Sequence, residues 1–186
     1  MELLPELKIG LLNGWLPLIL FYTIFGLMLL SFPKSVVARL YDRSGWTEKQ
    51  KTLSAFGKLF MFSWIFIAIF TPIKLSQGAF VLGCLLYALG LAGIVVALLN
   101  YKDTPLDRPV TIGLYKVSRN PQQITILILF LGISFAVGSW LAVFLLAIGA
   151  VMAHIRILAE EKSCLEQYGV SYKNYMEQVP RYFVFL

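Results

Sequence analysis

The chain reads as an all-α integral membrane protein, a helical bundle of about five transmembrane helices with a cap formed by its carboxy-terminal tail. Three observations carry that reading. Apolar residues make up 59% of the 186 residues, mean hydropathy is +0.77, and several apolar runs approach the roughly 20 residues that cross a bilayer. Those runs are apolar all round rather than along one stripe, which suits helices that face lipid. The basic residues gather in short segments between the runs, where membrane topology accounts for them.

The first span is expected from about Gly10 to Phe32, ending at Pro33-Lys34. It is long and no small-residue cleavage pattern follows it, so it is expected to remain as a span rather than be removed as a signal peptide. A basic loop comes next, with Lys34, Arg39, Arg43, Lys49 and Lys51. Within it Thr47-Glu48-Lys49-Gln50 has the form of a capping box that starts the next helix. The second span covers about Phe56 to Ile73, with Lys58 near enough to the edge to snorkel. A tight turn around Thr71-Pro72-Ile73-Lys74 leads to a third span, about Gly78 to Leu99.

From Asn100 to Gln123 the chain is polar. Pro121 fits the first turn of a fourth helix, where its missing N–H costs nothing. That helix ends near Phe135 and is short for a full crossing, so it either tilts or begins inside the polar segment. Ala136-Val137-Gly138-Ser139 is a helix–helix turn, and a fifth helix runs from about Trp140 past Arg156. The tail from Lys162 to Leu186 is amphipathic, and its Tyr168, Tyr172, Tyr175 and Tyr182 suit the membrane interface. No internal repeat or low-complexity segment interrupts the chain. One membrane domain is therefore expected, with three spans in residues 1–99 and a functional half in residues 100–186.

The 16 Lys and Arg residues, which leave a net charge of +6, sort across five spans. Lys8 and Lys74 fall on one side and all the others on the opposite side. The positive-inside rule then places the N-terminus outside, and the polar segments and C-terminus in the cytoplasm. A four- or six-span count loses this sorting. The same sorting explains the basic balance without a nucleic-acid partner. Cys84 lies in an apolar run and Cys164 in the polar tail, so no disulfide is expected and no metal-ligand spacing exists.

Two polar clusters could carry chemistry. Arg156 and Glu160 lie one helical turn apart and share a face; His154 and Glu161, two turns apart, also share one. On a soluble helix Arg156–Glu160 would be a surface pair with an effect of a few tenths of a kcal/mol. Here it emerges from an apolar helix, where charge is costly and points to function. His154 is the only histidine, and it reads first as a hydrogen-bonded structural residue. With no second histidine and no cysteine cluster, no metal is expected. In the other cluster, Gly113 permits a tight turn. Asn120-Pro121 forms a turn-to-helix junction whose free N–H groups can receive a carboxylate. Arg119 adds positive charge there, and Gln122 and Gln123 can both donate and accept, as an adenine edge or a ribose requires. Taken alone, Arg-Asn-Pro is also what an ordinary helix start looks like.

The order of motifs is more specific. Gly113-x-Tyr115, Arg119-Asn120-Pro121, an apolar hairpin, Arg156-x-x-x-Glu160-Glu161, Tyr168-Gly169-x-x-Tyr172-x-x-Tyr175 and Val179-Pro180-Arg181 follow one another. This order resembles the isoprenylcysteine carboxyl methyltransferase and phospholipid methyltransferase superfamily of integral membrane enzymes. The resemblance runs from about Asn100 to the C-terminus, and the first two spans carry no diagnostic motif. It implies S-adenosylmethionine bound between the last two helices and a cytoplasmic cap. It implies cofactor contacts along Asp107-Arg108-Pro109-Val110 and at Tyr115, along Arg119-Asn120-Pro121-Gln122-Gln123, and at Glu160. It associates Arg156 with the acceptor and hence with catalysis.

Two departures stand out. Asn120 replaces the His of many members and Gln123 replaces a Tyr. Asn can still bond the cofactor, whereas the lost Tyr removes an aromatic wall or hydroxyl and bears on the substrate. The implied reaction is in-line attack on a methyl group that the sulfonium already activates, so alignment is the enzyme's main contribution. Arg156 would orient an anionic acceptor by charge-assisted hydrogen bonds. An ammonium acceptor must first lose a proton, with His154 and Glu161 as the nearby candidates. A prenylated cysteine carboxylate, a phospholipid amine and a hydrophobic thiol all fit, and such an acceptor could enter sideways between helices from the lipid bilayer. Two other readings stay open. Membrane sterol-type reductases that use NADPH share the hairpin and tail but are longer. A non-enzymatic membrane scaffold explains the spans and basic loops but not the paired polar clusters.

Overall fold

The computed structural model describes residues 1–76 and 78–183. Helices α1 (Trp15–Ser31), α2 (Lys34–Tyr41), α3 (Glu48–Phe70) and α4 (Gly78–Lys102) are followed by a 3-10 turn at Gly113–Lys116, then α5 (Pro121–Ala136), α6 (Trp140–Tyr168) and α7 (Val170–Gln178). Among the described residues β structure is limited to two isolated bridges. The all-α expectation holds. Three helices, α3, α4 and α6, are long and apolar enough to cross a membrane, and α1 and α5 are shorter apolar helices. About five membrane helices is thus compatible with the structure.

Local chemistry sets the boundaries. The capping box forms: the Gln50 N–H donates to Thr47 Oγ1 at 3.3 Å and the Thr47 N–H donates to Gln50 Oε1 at 2.8 Å. Pro121 occupies the first turn of α5, and the Ser139 hydroxyl accepts from the Ala142 N–H at 3.1 Å to start α6. The first helix begins at Trp15 rather than near Gly10. The preceding residues lie instead across the end of α3, because the buried Asn13 amide donates to Lys8 O at 2.7 Å and Ile69 O at 3.1 Å. The same N-terminal segment reaches the α5–α6 turn, where Glu2 N donates to Gly138 O and Trp140 N to Glu2 O.

The core joins α1 through α6. Trp64 is fully buried, stacks on Phe130 at 4.6 Å and donates its indole N–H to Ser134 Oγ at 2.9 Å. That satisfied polar tip lets a large ring lie wholly inside. Helices α4 and α5 touch backbone to backbone. A Cβ on Gly90 would lie 2.5 Å from Leu129 N, and one on Gly132 would lie 2.5 Å from Tyr87 N. Small residues permit this close approach, as is common between membrane helices.

Two features differ from the expectation. The basic loop contains α2, and its Val36 is buried in the core. The fifth helix runs past Arg156 as expected, but it continues unbroken to Tyr168, into the segment expected as the tail from Lys162. Its change from apolar to polar composition is a change of solvent, not a helix end. Gly169, with φ of 55°, is where the chain breaks. At 29 residues α6 is about 43 Å long, against a hydrocarbon core of about 30 Å. Its length exceeds one crossing, and its final turns carry the second polar cluster.

Candidate functional site

The end of the bundle that holds the α4–α5 turn and the C-terminus of α6 is closed by α7 and residues 179–183. A buried ion cluster fastens this cap. Glu161 is 5% exposed and accepts from Arg119 Nε at 2.9 Å, Arg181 Nη2 at 2.9 Å and Arg181 Nε at 3.0 Å. The Asn120 amide adds a 3.3 Å bond to the same carboxylate. Arg119 also donates to Met176 O at 3.0 Å and Val179 O at 2.6 Å, and its backbone N–H donates to Pro180 O. The hydrogen bonds that Arg181 donates to Glu161 push its guanidinium pKa above the ordinary value. Tyr175 donates to Tyr115 O at 2.7 Å, and the Gln122 amide donates to Tyr115 Oη at 2.8 Å. Burial raises the phenol pKa of Tyr115, Tyr172 and Tyr175, so all three are neutral hydroxyls at physiological pH.

Beside this cluster lies a cavity of about 720 Å³. Its walls include Pro109, Val110 and Tyr115 from the polar segment, and Arg119, Asn120, Gln122 and Gln123 from the start of α5. Arg156 and Glu160 face it from α6. Its apolar lining includes Phe25 of α1, Leu40 of α2 and Ile126 of α5. Of the residues singled out in sequence, Arg108 lies apart: its side chain is 64% exposed and sits 3.5 Å from Asp107. Pro121 is buried as the first residue of α5 and does not line the cavity.

Adjacent glutamates have opposite settings. Glu161 spends both oxygens on the cap. Glu160 lies 3.5 Å from Arg156 Nε, its side chain is 44% exposed, and among the described residues it has no hydrogen-bond partner. Arg156 donates through Nη2 to Gln123 Oε1. Gln123 therefore links the two polar clusters, at the position where the superfamily pattern has a Tyr. His154 bonds Tyr182 Oη at 2.7 Å and lies outside the cavity wall. Among the described residues no group of three or more His, Cys, Asp or Glu could hold a metal ion.

The model of the phospholipid methyltransferase family matches residues 78–171, just over half of the chain. The chain belongs to the phospholipid methyltransferase family. Membrane methyltransferase activity follows from that membership at the level of the family. No curated protein and no solved structure matches the chain.

The family match covers α4, the polar segment, α5, α6 and the Gly169 break. It leaves out one wall of this family member's cavity. Residues Arg39 to Trp46, from α2 and the loop after it, face α6 across the opening. Arg39 fixes this wall. Its guanidinium donates to Pro105 O at 2.9 Å, Tyr101 O at 2.8 Å and Thr104 O at 3.2 Å, and it lies 4.4 Å from the Tyr101 ring centroid. Gly45 meets α6 so closely that a Cβ would lie 2.9 Å from Ser163 Oγ. In sequence these basic residues were fully explained by topology. The only further signal was the apolar set Val36, Val37 and Leu40, which falls on one face of a helix.

Proposed function

We propose that this family member transfers a methyl group from S-adenosylmethionine to a hydrophobic or lipid-linked acceptor at the cytoplasmic membrane face. The chain works as one membrane domain, in which the three spans of residues 1–99 support and wall a cofactor-binding half in residues 100–186. The observation that carries the reading is convergence. Segments around Val110, Asn120 and Glu160, far apart in sequence, line one cavity, and its volume lies within the roughly 300–1,000 Å³ typical of ligand pockets.

The donor set suits the cofactor. The open Glu160 carboxylate would hold its ammonium or ribose hydroxyls, and Gln122, Gln123 and Asn120 would hold its other polar groups. Pro109, Val110 and Tyr115 would supply apolar and aromatic surface. When bound, the sulfonium supplies a methyl group already activated toward nucleophiles. The chain's own residues then need only align the acceptor and exclude water. Arg156, steadied by Gln123, would orient an anionic group on that acceptor. The apolar lining at Phe25, Leu40 and Ile126 would receive the acceptor's hydrocarbon part. Glu161 is held by two guanidiniums and His154 by Tyr182, so neither is free as a base. This supports an acceptor that arrives already nucleophilic. The cytoplasmic placement is supported by the sorting of basic residues to the cavity end. Family membership favours methyl transfer over the reductase and scaffold readings.

Glu160→Ala tests the site. Calorimetric titration with S-adenosylmethionine should show at least about a hundredfold loss of affinity, while circular dichroism and gel filtration in detergent match the unaltered protein. Unchanged affinity would reject the assignment.

A further inference from the structure

Four arginines line the cavity: Arg39, Arg43, Arg119 and Arg156. Three of them are committed. Arg39 is spent on the carbonyls at Tyr101, Thr104 and Pro105. Arg119 is spent on Glu161 and the cap carbonyls. Arg156 is shared between Gln123 and Glu160. Arg43 differs: among the described residues its side chain makes no hydrogen bond and no direct ion pair, and its charge reaches Glu160 only through space, where it favours the ionised carboxylate. It is half-buried, and its guanidinium lies 5.1 Å from the centroid of Trp46, itself 5% exposed.

A guanidinium backed by a fixed aromatic ring is preorganised to receive an anion. Its planar fork of donors matches the oxygens of a carboxylate or phosphate. The loop that carries it is held at one end by Arg39 and at the other by the Thr47 capping box, and Gly45 packs on Ser163 between them. The cation is therefore mounted on a positioned wall of the cavity that Arg156 and Glu160 also line, within electrostatic reach of Glu160. This wall also lies outside the residues matched by the family model.

We propose that Arg43, set against Trp46, forms an acceptor-recognition subsite that takes the anionic group, carboxylate or phosphate, of the methyl acceptor. The proposal rests on the methyltransferase reading of the same cavity. The apolar wall at Phe25, Leu40 and Ile126 takes the hydrocarbon part of the acceptor, and Arg43 fixes its charged end at the mouth. The N-terminal half thereby joins Arg156 and Ile126 in holding the acceptor, while the donor is held within residues 78–171.

The test uses the full chain in an uncharged detergent. Unaltered protein, Arg43→Gln and Arg43→Lys are titrated calorimetrically with dodecyl phosphate, dodecanoate and the neutral dodecanamide, and separately with S-adenosylmethionine. Arg43→Gln is expected to weaken binding of at least one anion tenfold or more. Arg43→Lys should recover part of that loss, while dodecanamide and S-adenosylmethionine bind all three proteins within about twofold of one another. Whichever anion responds identifies the acceptor's charged group. Equal anion affinity in the unaltered and Gln forms, or no anion binding by the unaltered protein, overturns the subsite. So does an equal loss of S-adenosylmethionine affinity, which would give Arg43 to the cofactor. Absence of S-adenosylmethionine binding by the unaltered protein overturns the underlying methyltransferase reading instead, whatever the anions do.

Discussion

Glu160 and Glu161 are neighbours with the same side chain, and the structure gives them opposite phenotypes. Glu161 and Arg119 are 5% and 7% exposed. Removing one partner of such a pair strands a buried charge and costs about 3–5 kcal/mol. For a chain of this size 1 kcal/mol corresponds to roughly 2–4 °C in Tm, so Glu161→Ala should melt about 6–20 °C below the unaltered protein. Glu160 and Arg156 are 44% and 33% exposed. Burial raises the Glu160 carboxyl pKa, but a pair this exposed and without a direct hydrogen bond contributes about 1 kcal/mol or less, so Glu160→Ala should lose no more than about 4 °C. The assay is thermal unfolding of both alanine variants in one detergent, followed by far-ultraviolet circular dichroism. Limited proteolysis reports whether residues 170–183 are released first in Glu161→Ala, as the loss of their fastening requires. A Glu161→Ala melting point within about 2 °C of the unaltered protein would refute the clamp. A lower melting point for Glu160→Ala than for Glu161→Ala would invert the division of labour.

Arg156→Ala should leave S-adenosylmethionine affinity within about threefold but lower kcat/KM for the acceptor at least about a hundredfold, as expected for a group that aligns the transition state. Equal loss of both would make it a cofactor or structural residue. Gly113 has φ of 56°, and a Cβ there would lie 2.1 Å from Asn100 Oδ1, which itself accepts from Leu114 N at 3.0 Å. Gly113→Ala should therefore cost about 2 kcal/mol or more in thermal unfolding, combining left-handed backbone strain with a clash. Asn100→Ala in the same chain should relieve part of that cost, and no relief would remove the clash from the explanation.

The membrane helices were legible because hydropathy, the capping box at Thr47 and the proline at position 121 are local signals. The cofactor half was legible through the order of its motifs. Three things were not. Helix α2 was hidden because eight residues set within a basic stretch look like a topological loop, and only packing of Val36 reveals its inner face. The continuity of α6 was hidden because a helix leaving the bilayer changes composition without changing conformation. The Arg119–Glu161–Arg181 cluster was hidden because sequence offers 16 cations and no rule for which two meet a given carboxylate. That choice is made by the Gly169 break, which turns α7 back along α6 and delivers Arg181 to the same oxygen pair as Arg119.

The glycine contacts between α4 and α5 have a mechanical consequence. Where main chains already touch, neither rod can slide or tilt toward the other, and nothing can be wedged between them. That pair is the fixed jaw of the molecule. Widening that admits a bulky amphiphile is left to the opposite jaw, α1 with α2 and its loop, which Arg39 latches to the end of α4 and the turn after it, and which Tyr87 ties at Pro17 O.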